Sequence, residues 1–334
     1  MIFSFSTAHF LVDFACAFLM LSSVANDCTW YLSVLLYNFC AFALQMPFGA
    51  LADAYNRNSR FALGGIVLIA AAFGSTGLPL AAAIVAGLGN GLFHVGGGID
   101  VLNISQNKSS PLGIFVSPGA LGLYLGTIQG KLGNLSFFWP LVFLAFSALL
   151  ILLASKLFKG GYPSNSPFSL QRASLSYGLI AAVSLFLVVC LRSYVGLTLQ
   201  FPWKGRGYWG LTLISSVVLG KVAGGFAADR FGMLKTSVFS MLGAALLFLL
   251  PNVPMAGVLS IFLFNMSMPI TLWVMAKIYP GAKGFTFGLL TFGLFIGYIP
   301  QYLGLPVPTA PLSFALMAVV SLLLLYGGIS GAKL

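Results

Sequence analysis

Twelve apolar runs, each about as long as a helix needs to be to cross a bilayer, divide this chain and leave little polar sequence between them. A spanning helix takes about 20 apolar residues. Breaks at Gly, Pro, Asn and charged residues mark runs near 3–24, 30–53, 60–76, 79–104, 111–130 and 137–155, then 174–200, 208–228, 236–252, 254–279, 284–303 and 309–331. Charged residues are 6% of the 334 positions, against about 25% in a soluble domain, so most of this surface cannot face water. The expected fold class is all-α and integral to a membrane, with runs three and nine the shortest. The first run lacks the basic start of a signal peptide and reads as a retained first helix.

The polar stretch 156–173, containing KGGYPSNSP, separates two sets of six. The expected organisation is an N-terminal six-helix half over 1–155, a cytoplasmic linker over 156–173 and a C-terminal six-helix half over 174–334. The bases set the direction, because cytoplasmic loops carry an excess of Lys and Arg. With the N-terminus inside, the inner loops and tail hold eleven of the sixteen: Arg57, Arg60, Lys108, Lys156, Lys159, Arg172, Arg230, Lys235, Lys277, Lys283 and Lys333. The outer loops hold Lys131, Lys204 and Arg206, and Arg192 and Lys221 fall within spans. Both termini are expected in the cytoplasm, in the plasma (inner) membrane. The net charge of +11 is scattered between apolar runs and forms no nucleic-acid patch. Cys16, Cys28, Cys40 and Cys190 lack metal-ligand spacing.

The two sets repeat each other. GALADAYNRNSR starts at Gly49 and GGFAADRFGMLK at Gly224, so Gly49 and Asp53 match Gly225 and Asp229 at an offset of 176. At 175, Pro79 matches Pro254, Asn90 matches Asn265, Lys108 matches Lys283, and Gly113 and Gly122 match Gly288 and Gly297. Two parallel six-helix repeats joined by a polar linker make a transporter architecture.

On these features the chain resembles the major facilitator superfamily over nearly its whole length. The superfamily's signature, close to G-x-L-A-D-R-x-G-R-K, is matched by Gly49, Leu51, Ala52, Asp53 and Arg57, with Asn56 where Gly is usual. Asn tolerates the left-handed turn that Gly provides there. The second copy keeps Gly225, Ala228, Asp229, Arg230 and Gly232. The resemblance implies a cytoplasmic gate of Gly49, Asp53, Arg57, Gly225, Asp229 and Arg230. Close-packed glycines would let the helices approach, and each Asp would meet the positive N-terminus of a neighbouring helix. The alternative is a topology anchor. Because Ala54 and Asn58 stand where the family usually has bases, the charge relay of the first copy is thinner than the family norm. A narrower resemblance is to the fosmidomycin-resistance group: Ser6, His9 and Asp13 in span one, and Gly87, Gly89, Phe93 and His94 in span four, with Val95 where that group has Pro.

A charge at mid-bilayer costs about 2.5–3.5 kcal/mol on insertion scales, so each one retained points to a role. The resemblance implies that spans one, four, seven and ten line a central cavity. Ser6, His9 and Asp13 share one helical stripe, and a carboxylate beside an imidazole can take and release a proton. Asp13 and His9 are therefore the candidates for proton coupling, with a structural helix–helix contact as the alternative. Candidate substrate-binding residues are His94, Asn90, Arg192, Asn265 and Trp273. Arg192 can bind an anionic group or pair with Asp13. Gly96–Gly98 can unwind and expose carbonyls to a ligand, or pack closely. Asp100 is expected to pair with a loop base such as Lys108, and Lys221 to join the latch face. SPGALGLYLG from Ser117 partly matches the Gly-Pro phrase of drug antiporters.

These residues lead to a secondary active transporter using alternating access, proton-coupled and exporting a small organic compound. Uptake or exchange of an anionic metabolite is the alternative, and a non-transporting receptor or scaffold is the alternative of another class. No HExxH, GxSxG, paired-Asp phosphate site or nucleotide loop is present, so an enzyme is not expected. The expected partners are a small-molecule substrate, protons and the lipid bilayer, without nucleic acid, metal or cofactor, and the chain is expected to be monomeric.

Overall fold

A computed structural model of the chain describes residues 1–157, 168–170 and 178–332. Much of the expected linker, including all of KGGYPSNSP, lies outside the described residues.

The elements are helices throughout the described residues: α1 (Ile2–Leu19, running on as a π-helical turn over Met20–Val24), α2 (Trp30–Asn38), a π-helical turn at Phe39–Ala43, α3 (Gln45–Tyr55), α4 (Asn58–Phe73), α5 (Pro79–Ser105), α6 (Ser110–Val116), α7 (Pro118–Leu132), α8 (Phe138–Leu157), α9 (Gly178–Thr198), α10 (Trp209–Phe231), α11 (Met233–Phe248), α12 (Pro254–Asn265), α13 (Ser267–Ile278), α14 (Lys283–Tyr302) and α15 (Pro311–Gly331). Three apolar runs are broken rods, and proline accounts for each break. A proline inside a helix removes a hydrogen bond and presses on the carbonyl four residues back. Pro118 divides α6 from α7, Pro269 follows the α12–α13 joint, and Pro47 lies just past the π-helical turn whose last residue, Ala43, is four back.

Ten spans among the described residues are long and apolar enough to cross a bilayer, counting each broken rod as one. The third and ninth apolar runs form α4 and α11, of 16 residues each. At 1.5 Å per residue these reach about 24 Å, short of a hydrocarbon core of about 30 Å. Exposure sorts the helices by environment. The spans of α1, α5 and α12–α13 are each 67% buried, whereas that of α8 is 28% buried. Phe138, Trp139, Phe146, Leu149 and Leu153 of α8 are exposed, which suits lipid and would be untenable in water.

The chain forms two compact units. The first takes Met1–Gln106, Pro118–Ser169 and Gly281–Phe292; the second takes Asn107–Ser117, Leu170–Pro280 and Gly293–Leu334. Relative to the expected halves, each unit also includes a short segment from the other half of the sequence.

Within the first unit, glycines set the helix spacing. Gly122, Gly126 and Gly130 of α7 lie against the backbone carbonyls of Phe10, Phe14 and Phe18 of α1, where any Cβ would overlap them. The matching four-residue steps make a rail along which two backbones touch, the small-residue packing of membrane helices. Phe5, Phe18, Ile69, Phe93, Ile99 and Leu144 fill the core around it. In the second unit Gly220 and Gly224 of α10 bear in the same way on the carbonyls of Phe262 and Met266. Leu185 and Phe248 are fully enclosed there.

Candidate functional site

Two helix starts carry the repeated Asp phrases. The first N–H groups of a helix have no partner inside it. At the start of α14, the amides of Gly284 and Phe285 donate to Asp53 Oδ1 and Oδ2, each at 2.9 Å. At the start of α6, the amides of Ser109 and Ser110 donate to Asp229 at 2.6 and 3.0 Å, and Ser109 Oγ adds a third bond at 2.9 Å. Gly284 and Phe285 match Ser109 and Ser110 at the repeat offset of 175. Both Asp residues thus perform the same act: a carboxylate fills the vacant donors and the positive end of a helix. Gly49 and Gly225 make it possible, because a Cβ on Gly49 would strike Gly284 and Phe285, and one on Gly225 would strike Ser110. The turns after the Asp residues are also paired, with Asn56 at φ +50 and Gly232 at φ +91. Asn56 ends α3 in the left-handed conformation that its place in the signature suggests.

The two contacts differ in burial. Asp53 is 2% exposed, while Asp229 is exposed. Arg57 and Arg230 are exposed too, and the Arg230 guanidinium lies over the Phe231 ring at 5.5 Å. In both copies backbone amides are the hydrogen-bond partners of the carboxylate.

The second constellation joins α1 and α5 inside the first unit. His9 Nε2 is 3.2 Å from Asp13 Oδ2, His94 Nε2 is 3.6 Å from Asp13 Oδ1, and the two Nε2 atoms are 2.9 Å apart. Asn90 Nδ2 donates to Asp13 Oδ1 at 3.0 Å. Asp13 lies 11 residues from the start of α1 and His94 lies 11 from the end of α5, so both sit about 16 Å from the same side. Side-chain exposures of 7% for His9, 12% for His94 and 17% for Asp13 leave the cluster nearly shut off.

Proton positions follow from the partners. His94 Nδ1 is 2.8 Å from the Asn90 carbonyl, which only accepts, so Nδ1 carries the hydrogen and the neutral His94 ring offers a lone pair at Nε2. Only one hydrogen fits on the line between the two Nε2 atoms. A further proton on this cluster can shift that hydrogen, go to Asp13 or go to the second ring nitrogen of His9. This arrangement of three exchangeable positions can take up, pass and release a proton. The donor atoms of His9, Asp13 and His94 all lie within 4.8 Å of one another, a spacing open to a metal ion as well. The 2.9 Å approach of the nitrogens favours hydrogen bonding, since two ligands of a tetrahedral zinc stand about 3.3 Å apart.

Sequence reasoning missed Gly119, one turn of α7 before Gly122. A Cβ there would collide with His9 Nε2 and Asp13 Oδ2. It lies within the SPGALGLYLG phrase, whose only sequence signal was that partial match.

Other expected residues take different places. Ser6, although on the Asp13 stripe, donates to Ile2 O of its own helix at 2.8 Å. Gly96–Gly98 stay helical within α5, with Gly96 packed on Asn58 and Ala62 and Gly98 on Phe287. Asp100 accepts from Asn58 Nδ2 and Ser59 Oγ, both at 2.9 Å, while Lys108 is exposed. In the second unit, Lys221 Nζ donates to Val116 O at 3.1 Å, and Asn265 Nδ2 donates to Ile261 O of its own helix at 2.9 Å. Trp273 lies under the Lys277 ammonium at 4.9 Å, with its Nε1 buried and unpaired among the described residues. Arg192 is 14 residues into α9, and Trp273 is five from the end of α13 on the same side, so about 13 Å of depth separates them.

No family model matches the sequence, and no curated protein matches it. Among solved structures, the E. coli fucose:proton symporter FucP is similar with a TM-score of 0.64 at 15% identity, over 97% of this chain and 97% of that one. A second structure, of FucP as a Major Facilitator Superfamily transporter in the outward conformation, gives 0.62 at 16% identity over 94% and 97%. At such identity the likeness speaks for architecture alone, and it agrees with the doubled phrases and their paired helix starts: the chain has the fold of the major facilitator superfamily.

Proposed function

We propose that this chain is a secondary active transporter, working by alternating access, that exports a small organic compound in exchange for protons. The observation that supports it is the nearly enclosed cluster of Asp13, His9 and His94, held midway along its helices with Asn90 bonded to the carboxylate. Asp13 takes the proton in this reading, His9 and His94 pass it on, and Asn90 orients the carboxylate. Asp53 and Asp229, with Gly49 and Gly225, hold the cytoplasmic side shut for part of the cycle. The excess of bases beside them supports cytoplasmic termini in the plasma membrane, and the chain works as a monomer.

A second reading runs the cycle as proton-coupled uptake. Its support is the likeness to FucP, a fucose:proton symporter. Proteoliposomes holding a pH-sensitive dye, challenged with a panel of small organic solutes, separate the two by the sign of the induced proton movement. Asp13→Asn should abolish that movement in either case. Wild-type proton movement in Asp13→Asn would sink the assignment of the proton carrier, and absence of solute counterflow in the wild type would leave a receptor or scaffold.

A further inference from the structure

Arg192 poses an unresolved electrostatic problem among the described residues. It is 8% exposed, on α9, and its Nη1 is buried with no hydrogen-bond partner among the described residues. A guanidinium stays charged at any working pH and carries five donors, so burying it unpaired is costly unless something else completes it.

The chain has only five acidic side chains to offer, all Asp, and each is engaged. Asp13 meets His9, His94 and Asn90. Asp27 caps the turn at Thr29. Asp53 and Asp229 hold their helix starts, and Asp100 is bonded to Asn58 and Ser59. The second unit contains Asp229 as its one acidic side chain. That residue is two from the end of α10 while Arg192 is 14 into α9 from the same side, about 18 Å away in depth. Snorkelling does not resolve the charge either: six residues separate Arg192 from Thr198 at the nearer end of α9, about 9 Å, beyond the reach of a side chain already buried.

We propose that Arg192 is a binding residue for an oxyanion, a carboxylate or phosphate-type group carried by the transported solute, which the guanidinium grips through two parallel N–H···O bonds. This deepens the transport reading and rests on it for the word transported. The Arg192 charge is left without a protein counterion because the solute supplies one, and the empty carrier is correspondingly less stable than the loaded one.

The test uses the full chain in a nonionic detergent and reads thermal unfolding, with no flux measured. Acetate, methylphosphonate and inorganic phosphate are titrated against the wild type, Arg192→Gln and Arg192→Lys, with acetamide as the neutral control. The wild type should gain stability saturably with an oxyanion and not with acetamide. Arg192→Lys should need about tenfold more anion, having lost the bidentate fork, and Arg192→Gln roughly thirtyfold more or show no saturation. Without anion, Arg192→Gln should melt at or above the wild type. Equal anion effects on wild type and Arg192→Gln overturn the proposal, as does an anion-free Arg192→Gln that melts well below the wild type, which would make the charge structural. A difference seen only with phosphatidylglycerol added, and not with the small anions, assigns the site to lipid headgroups and overturns the solute. Binding is read without transport, so failure here leaves the Asp13 reading standing, and failure of Asp13→Asn leaves this one.

Discussion

Replacing Asp53 by Asn changes one charged oxygen to an amide and leaves the shape of the latch intact. In the wild type the carboxylate receives the amides of Gly284 and Phe285, both at 2.9 Å, from a site 2% exposed. Asn keeps one acceptor; its NH2 faces the other amide and cannot accept. One charge-assisted bond is lost, worth about 1.5–3 kcal/mol. With each 1.36 kcal/mol a factor of ten, opening of this helix start should become about 10–150 times more frequent. Hydrogen–deuterium exchange with mass spectrometry reads this without knowing the solute. A peptide covering 281–288 should exchange faster by that factor in Asp53→Asn, while one covering 107–114 stays near wild type. Asp229→Asn should reverse the pattern with a smaller factor, because that carboxylate is exposed and water replaces what is lost. Exchange at 281–288 within twofold of wild type in Asp53→Asn would refute the account of the latch.

Two further outcomes follow from local geometry. Gly119→Ala should stop solute-induced proton movement and cost about 1–3 kcal/mol by overpacking, since its Cβ meets His9 and Asp13, whereas Gly77→Ala, which meets nothing, should leave thermal unfolding and proton movement unchanged. Asp27, in the loop after α1, is held below its ordinary value of 3.8 first by the Thr29 hydroxyl and then by the Thr29 amide. A depressed carboxylate contributes stability above 3.8 that is lost as pH falls through its folded value, so Thr29→Val should raise the Asp27 midpoint in a carboxyl NMR titration and narrow that acid window.

The latches were legible in the sequence from their Asp side, and only there. The doubled phrase marked Gly49, Asp53, Gly225 and Asp229, and Asn56 announced its left-handed turn by standing where Gly is usual. Their partners are backbone amides, which any residue can supply, so nothing in Gly284, Phe285, Ser109 or Ser110 advertises the contact. His9 and Asp13 were legible as one stripe, which also holds Ser6, whose hydroxyl donates to the Ile2 carbonyl of its own helix. Asp100 was misassigned because a base in a nearby loop looks like the natural partner of an acid. The structure instead meets it with Asn58 and Ser59, which open α4. Gly119 could not have been singled out, since its importance is the absence of one atom beside two side chains from another helix.

The repeat explains why gate and chemistry differ in symmetry. At the offset of 175, Ser184, Val188 and Pro269 stand where His9, Asp13 and His94 stand in the first half, and Ala17 stands at the mate of Arg192. A latch needs one carboxylate and a helix start, and every helix offers vacant amides, so both copies can diverge in sequence and keep it. A buried acid–base cluster needs several side chains that satisfy one another. A second copy would place another set of ionisable groups in the membrane at about 2.5–3.5 kcal/mol for each charge. The repeat therefore keeps twice what the backbone supplies and holds the costly side chains singly: the acid–base cluster in one unit, buried Arg192 in the other.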